Sequence, residues 1–367
     1  MGVHAARRLL MAVPTLLIVS VIVFALIRAI PGDPAEFMLN DFDSDAAVEA
    51  MRVRFGLDRP VPVQHAIWLG DVPQGDLGTS IRTGQPVAEA LLDRLGMTAT
   101  ITALAIGFAV ALAVPAGLIA AWKQDSLANA TIIGVSILFL PLPSFWLDLM
   151  MIWLFAITLG WQPAIGFVSV AEDFAGGLRY LVMPVATLAL VEMAVVARML
   201  RAQTLEVLRL NYVPYARAKG LPEAVVLTRH VARNALGAAV TVVGLILGGL
   251  VGGASVTEAV FSIPGIGRLL VEAIYARDYP MLQGCLLLIA FIYVLVNLPV
   301  DLACAALLRT PRGRRRPWFL RRINDVVGSV LLAVVFATAA MGTSGSPTTP
   351  SSRTSSPASP RRPRRTP

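Results

Sequence analysis

The stretch Asn211-Tyr-Val-Pro-Tyr-Ala-Arg-Ala-Lys-Gly220-Leu-Pro222 decides how this chain of 367 residues is interpreted. The pattern indicates a short polar helix between two long apolar runs. Asn211 is predicted to cap its start, Pro214 suits its first turn, and Gly220 suits the left-handed position after its end. A second helix can begin at Pro222. These local features fit a docking element or an interfacial connector whose arginines meet lipid phosphates.

The composition is that of a membrane protein. The chain is 56% hydrophobic and 15% charged, with a mean hydropathy of +0.71, whereas soluble domains carry more charge. Several apolar runs approach or exceed the roughly 20 residues that cross a bilayer. The sequence predicts an all-α integral membrane fold with six transmembrane helices, at about Leu9 to Ile27, 97–121, 130–159, 181–202, 236–260 and 281–308.

Basic residues in the connections predict the orientation of these spans. Lys and Arg occur before the first span, in the loops 122–129 and 203–235, and after residue 308. All four positions fall on one side if there are six spans, and such a bias marks the cytoplasmic side. The N-terminus and the 211–222 stretch are therefore predicted to be cytoplasmic.

Four parts are predicted along the chain: an uncleaved transmembrane anchor (1–30), an extracytoplasmic region (31–96), a five-helix core (97–308) with a cytoplasmic loop at 204–233, and a basic, mostly disordered tail (309–367). The tail holds 12 of the 31 Lys and Arg residues, so the net charge of +8 belongs to it and predicts no nucleic-acid partner. Its apolar segment 326–341 is only marginally long enough to span a membrane.

Several motifs follow one another in a characteristic order. Phe-Gly-Leu-Asp-Arg-Pro (55–60) and Gly-Asp-Leu-Gly-Thr-Ser (75–80) come first, followed by Tyr-Ala-Arg-Ala-Lys-Gly-Leu (215–221) and Arg-His-Val-Ala-Arg-Asn-Ala (229–235). The last two are Val-Thr-Glu-Ala-Val-Phe-Ser-Ile-Pro-Gly-Ile-Gly-Arg-Leu-Leu (256–270) and Arg-Asp-Tyr-Pro-Met-Leu-Gln-Gly (277–284). Over about residues 7–308, this order resembles the dipeptide/oligopeptide/nickel permease family of ABC importers. The resemblance implies a type I ABC importer permease fold.

The resemblance also implies that the 211–220 helix is the coupling helix, which docks in a groove of an ATPase subunit. The residues expected to form this contact are Tyr212, Tyr215, Ala216, Arg217, Ala218, Lys219 and Gly220. The implied partners are a second homologous permease, two ABC ATPase subunits and an extracytoplasmic solute-binding protein, in the cytoplasmic (inner) membrane of a bacterium or archaeon. The implied substrates are di- or oligopeptides, with nickel complexes, glutathione or opines as alternatives.

The sequence offers no means of hydrolysing ATP. The only lysines, Lys123 and Lys219, do not stand in a Gly-Lys-Ser/Thr motif. We therefore expect ATP and Mg to bind partner subunits, and no cofactor or metal to bind this chain. A passive channel and an intramembrane enzyme are the alternatives, although the common hydrolase motifs are absent from the sequence.

Small and ionisable residues mark further candidate sites. A stripe of glycines in the fifth span predicts close helix packing, with pore lining as the alternative: Gly244, Gly248, Gly249, Gly252 and Gly253. Ionisable residues within or at the ends of spans should face protein or water. Asp148, Glu192 and Glu258 are therefore candidates for the substrate path, or for structural pairing, such as Glu192 with Arg198. By the resemblance, the loop around Glu258 helps to gate the path or to receive the binding protein.

Overall fold

Helices form all the regular structure of the described residues, apart from one isolated β-bridge between Thr79 and Pro86. The computed structural model describes residues 2–29, 45–54, 56–161, 163, 166–168 and 173–307. The predicted tail 309–367 and its apolar segment 326–341 lie outside this part of the chain.

Thirteen α-helices are numbered here in chain order within the described residues. They are α1 (Gly2–Ala29), α2 (Asp45–Arg54), α3 (Val61–Asp71), α4 (Val87–Trp122), α5 (Leu127–Phe139), α6 (Ser144–Met151), α7 (Phe174–Leu208), α8 (Tyr212–Ala218), α9 (Glu223–Val225), α10 (Arg233–Gly253), α11 (Ser255–Val260), α12 (Ile266–Tyr275) and α13 (Tyr279–Leu307). A 3-10 turn, Val72–Gln74, follows α3. The π-helical segments Ile152–Thr158 and Val226–Ala232 continue α6 and α9.

Three of the described helices are long and apolar enough to cross a membrane without interruption: Val87–Trp122, Phe174–Leu208 and Tyr279–Leu298. Two bent pairs pass the same test together, Leu127–Phe139 with Ser144–Thr158 and Glu223–Gly237 with Ala239–Leu250. The described residues thus hold three candidate spans, or up to five if each bent pair is one span. The predicted first span lies in α1, whose apolar part is the shorter Ala12–Ala25.

The predicted third span, 130–159, differs most from the structure. It consists of α5 and α6, which meet at an angle of 103°. Pro141 and Pro143 lie in the break between them. Proline lacks a backbone N–H and disfavours helical geometry in the residue before it, so two prolines this close together end one helix before the next begins. The predicted span is therefore a bent pair of helices, and the bend itself was not predicted.

The longest helices, α4 and α7, pack along each other and form the centre of the bundle, while α13 packs against both α10 and α1. Gly117 marks the closest approach of α4 to α7. A methyl group at Gly117 would lie 2.8 Å from the carbonyl oxygen of Ala197 and 3.0 Å from Cβ of Leu200. The absence of a side chain at Gly117 therefore sets the spacing of the two central helices.

We predict that Gly117→Ala lowers the melting temperature of the purified protein in detergent. The added methyl group meets the backbone of α7, and overpacking of this kind costs about 1–3 kcal/mol. Gly107→Ala is the matched control, because Gly107 lies on the same helix and a methyl group there meets nothing within 4 Å. Equal melting temperatures for the two variants would contradict the close packing at Gly117.

Candidate functional site

The short helix α8 is held against the bundle by one face. Val213 is fully buried and Ala216 is 7% exposed, and both pack in a cluster with Leu200 and Val207 of α7 and Val231 of the following segment. Ala216 is one of the residues expected to contact an ATPase, but it lies on this inner face. Val213 and Ala216 are three residues apart and therefore share one side of the helix.

The opposite face of α8 is open. Tyr215 is 63% exposed, and Lys219 lies over its ring at 4.7 Å from the centroid. Six of the seven residues predicted to contact an ATPase are exposed in this structure: Tyr212, Tyr215, Arg217, Ala218, Lys219 and Gly220. The helix therefore presents an amphipathic, cation-bearing surface while its other face is fixed.

Polar contacts join α8 to the segments that follow it. Arg217 forms a two-point ion pair with Glu223, with Nε and Nη2 at 2.6 and 3.2 Å from the carboxylate oxygens. The amide nitrogen of Asn234 donates to the Tyr212 hydroxyl at 2.8 Å. These contacts join α8 to α9 and α10 through exposed side chains.

The predicted C-terminal glycine of α8 is correct, and the predicted capping role of Asn211 at its start is wrong. Gly220 has φ of +76°, the left-handed conformation expected for it. Asn211 occupies the N-cap position, but its backbone is helical and its side chain makes no capping hydrogen bond. The reason is local, since the chain already turns at Leu210, whose carbonyl accepts from the N–H of Val213.

At the end of α4 that lies away from α8, the buried carboxylate of Glu258 connects α12 to α4. Glu258 belongs to α11 and is fully buried, and its carboxylate reaches the first turn of α12. Its carboxylate accepts hydrogen bonds from the Thr98 hydroxyl at 2.7 Å and from the backbone N–H of Arg268 at 3.1 Å. The Thr98 oxygen in turn accepts from the N–H of Ile266 at 2.8 Å. Anionic groups are favoured at the N-terminus of a helix, so Glu258 anchors α12 to α4.

Two glycines make room for this arrangement. A side chain at Gly265 would overlap the Glu258 carboxylate, and one at Gly267 would overlap Ser255. These glycines in the sequence Pro264-Gly-Ile-Gly267 are therefore required for space rather than for backbone freedom. The sequence motif places α12 directly on the carboxylate that caps it.

The structure assigns structural contacts to two of the three ionisable residues considered for a substrate path. Asp148 is fully buried and accepts a hydrogen bond from the Thr257 hydroxyl at 2.9 Å, which joins α6 to α11. Glu258 is likewise enclosed. Neither side chain lines an open surface within the described part of the chain, although Oδ1 of Asp148 is buried without a hydrogen-bond partner among the described residues. The contacts that are formed are structural, and a place for these residues in the substrate path stays a prediction.

Glu192 of α7 is the remaining candidate for the substrate path. It is partly buried and, among the residues the structure describes, it makes no side-chain hydrogen bond or ion pair. The suggested pairing with Arg198 is not formed. Glu192 thus keeps an unpaired carboxyl group on one of the central helices.

The glycine stripe divides into two groups. Gly244 and Gly248 face α13, where an added Cβ would meet Val300 and Tyr293 respectively, the latter at 2.6 Å. Gly249 and Gly253 meet nothing within 4 Å, while Gly252 is buried and its carbonyl accepts from Ser255. The first pair permits close packing of α10 on α13, and the second leaves a smooth, open strip on α10.

A second buried carboxylate, which the sequence did not single out for this role, fixes the loop before α4. Asp278 accepts from the Ser80 hydroxyl and from the backbone N–H groups of Ile81 and Arg82. The Asp-Leu-Gly-Thr-Ser and Arg-Asp-Tyr-Pro motifs are nearly 200 residues apart and meet here, which no local pattern predicts.

No group of three or more His, Cys, Asp or Glu side chains in the described ranges could hold a metal ion. Residues 113–313 match the family model "Binding-protein-dependent transport system inner membrane component", and residues 1–102 match the model of the corresponding N-terminal region. The chain belongs to this family.

The chain matches two peptide-transport permeases over nearly their whole length. The chain is 40% identical over 319 residues to the dipeptide transport system permease protein DppB of Alkalihalophilus pseudofirmus, covering 82% of this chain and 96% of that protein. It is 39% identical over 332 residues to the di/tripeptide transport system permease protein DppB of Pseudomonas aeruginosa, covering 85% and 98%. The predicted family is thus confirmed.

A solved structure shares the fold. An inward-facing form of the MetNI methionine ABC transporter matches with a TM-score of 0.50 at 21% identity, over 60% of this chain and 97% of that chain. The chain is an all-helical inner-membrane protein with an ABC importer permease-like fold, and it is a transport component rather than a catalytic subunit.

We predict that Thr98→Val destabilises this family member at the α12 end. The substitution keeps the shape of the side chain but removes the hydroxyl group between Glu258 and Ile266, and a buried group left without its partner costs about 1–3 kcal/mol. Thr100→Val is the control, since the Thr100 hydroxyl bonds only to Gly96 of its own helix. Thermal melting in detergent should show a loss for Thr98→Val alone, and equal melting of both variants would refute the anchor.

Proposed function

We propose that this chain is a permease subunit of an ATP-driven ABC importer for peptides, and that α8 is its coupling helix. Supporting this, α8 is fixed on its inner face by Val213 and Ala216 and exposes Tyr215 and Lys219 on its outer face. A helix that is packed on one side and exposed on the other can transmit the movement of a bound subunit to the helices on which it packs. The sequence has no P-loop, so the energy has to arrive from another subunit.

Force applied to α8 would reach the membrane through two routes. Val213 packs against Leu200 and Val207 of α7, and Tyr212 bonds to Asn234 of α10. Both α7 and α10 are candidate spans or parts of one. Closure of two ATPase subunits would thereby tilt these helices and switch the path between outward and inward access.

The proposed topology has six spans: α1, α4, the bent pair α5–α6, α7, α10 and α13. It places the N-terminus and α8 in the cytoplasm and the α12 end outside, where a solute-binding protein would deliver substrate. A second homologous permease would complete the path, and the open strip at Gly249 and Gly253 is suited to close approach by a neighbouring helix.

Peptides are the proposed substrates because the named relatives, at about 40% identity over most of the chain, are permeases for dipeptides and di/tripeptides. Nickel complexes, glutathione and opines remain the alternatives within the same family. Glu192, with its unpaired carboxyl group on α7, is the described side chain that we propose to meet a substrate amine.

We predict that Tyr215→Ala weakens ATPase docking at least about tenfold, because tyrosine is enriched among the interface residues whose truncation costs about 2 kcal/mol or more. Folding should be unaffected, since Tyr215 is 63% exposed. The measurement is co-purification of the ATPase subunits with the tagged permease, together with peptide uptake by cells.

The matched control is Tyr275→Ala. Tyr275 is 72% exposed at the opposite end of the bundle. It should leave ATPase binding unchanged. Wild-type docking and uptake by the Tyr215→Ala variant would rule out α8 as the coupling helix.

A further inference from the structure

A cavity of about 270 Å³ lies at the end of the bundle opposite α8. It is half open, and it is bordered by the last turns of α1, by α3, by the 76–81 segment and by the first turn of α13. Its walls include Phe24, Arg28, Trp68 and Gln283. None of its lining residues belongs to α7, α8 or α10.

Three hydrogen-bond donors in the walls have no partner among the residues that the structure describes. They are Nη1 of Arg28, Nε1 of Trp68 and Nε2 of Gln283, and each nitrogen is buried. Gln283 as a whole is only 4% exposed. Buried donors are almost always satisfied in native proteins, so three unpaired donors around one cavity indicate a missing acceptor. Because the nitrogens are shielded, a bound group would reach them through small rotations of these side chains.

The charge of Arg28 is also uncompensated by the described residues. Its Nε and Nη2 both donate to Oε1 of Gln64, a neutral acceptor, at 3.0 and 2.6 Å. Its guanidinium group lies 3.5 Å from the centroid of the Phe24 ring. A partly buried cation of this kind is stabilised by an anion that brings several acceptor atoms.

Carboxylates line another part of the same cavity. Asp71 and Asp76 belong to its wall, as does the exposed Arg59. Asp76 also accepts from the N–H of Gly78 at 2.8 Å. A ligand that satisfied only Arg28 would be a simple anion, whereas the aspartates add a site for an ammonium group.

We propose that this cavity binds a small zwitterion, with its oxyanion at Arg28, Trp68 and Gln283 and its primary ammonium group at Asp71 and Asp76. A free dipeptide and the headgroup of an aminophospholipid both have this chemistry. The site is separate from the coupling helix, and binding to it can be measured on this chain alone, whether or not the chain transports peptides.

The test uses the full chain purified in detergent. L-alanyl-L-alanine is titrated by calorimetry, with the N-acetylated, C-amidated dipeptide as a ligand that lacks both charges. In parallel, native mass spectrometry measures retention of phosphatidylethanolamine and of phosphatidylcholine, whose headgroup has no N–H. Binding of the free dipeptide identifies a solute site, and selective retention of phosphatidylethanolamine identifies a lipid site.

Variants show whether the unpaired donors bind a ligand or are only imperfectly packed. Arg28→Met and Gln283→Leu should each weaken binding at least tenfold, whereas Arg82→Met, which removes a charge outside the cavity, should not. Gln283→Leu removes an unpaired donor, so its melting temperature should not fall. The proposal is overturned if neither zwitterion binds, if the blocked dipeptide binds equally well, or if Gln283→Leu only raises stability and leaves binding unchanged.

Discussion

The buried carboxylate of Glu258 is the constraint on which the arrangement of the helices depends. A buried carboxylate is costly unless hydrogen bonds satisfy it, and here the Thr98 hydroxyl and the backbone N–H groups at the start of α12 do so. Gly265 supplies the space. The position of α12 relative to α4 is therefore fixed by one residue and its donors.

This anchor and the α8 surface are linked by a continuous helix. Thr98 and Leu118 both lie on α4, and 20 helical residues span roughly 30 Å, the thickness of the hydrocarbon core. Leu118 packs on the cluster that holds Val213 and Ala216. A rigid frame of α4 and α7 thus connects a fixed, capped end to the end where α8 is exposed. Movement of α8 is expected to tilt helices about the fixed end rather than to deform it.

Local patterns in the sequence predicted local structure well. The helix between Asn211 and Gly220, its left-handed end and the family motifs all follow from neighbouring residues. The inward position of Ala216 did not, because it depends on which face of α8 meets α7. The glycines at 244 and 248 carry a packing signal, but the sequence cannot show which of the five glycines faces α13.

Long-range contacts account for what the sequence left open. Thr98 and Glu258 are 160 residues apart, and Ser80 and Asp278 are 198 apart, so neither pairing has a local pattern. Asp148 and Glu258 are carboxylic residues in predicted spans, and such residues can either line a substrate path or form structural contacts. Only their burial and hydrogen bonds separate the two roles.

Peptide uptake by the reconstituted complex tests the central claim most directly. Proteoliposomes would contain this permease, its second permease, the ATPase subunits and the binding protein, and uptake of labelled dialanine would be followed with ATP and with a non-hydrolysable analogue. The account predicts uptake only with hydrolysable ATP and with the ATPase subunits present. Equal uptake by the permeases alone would show a passive channel and contradict it.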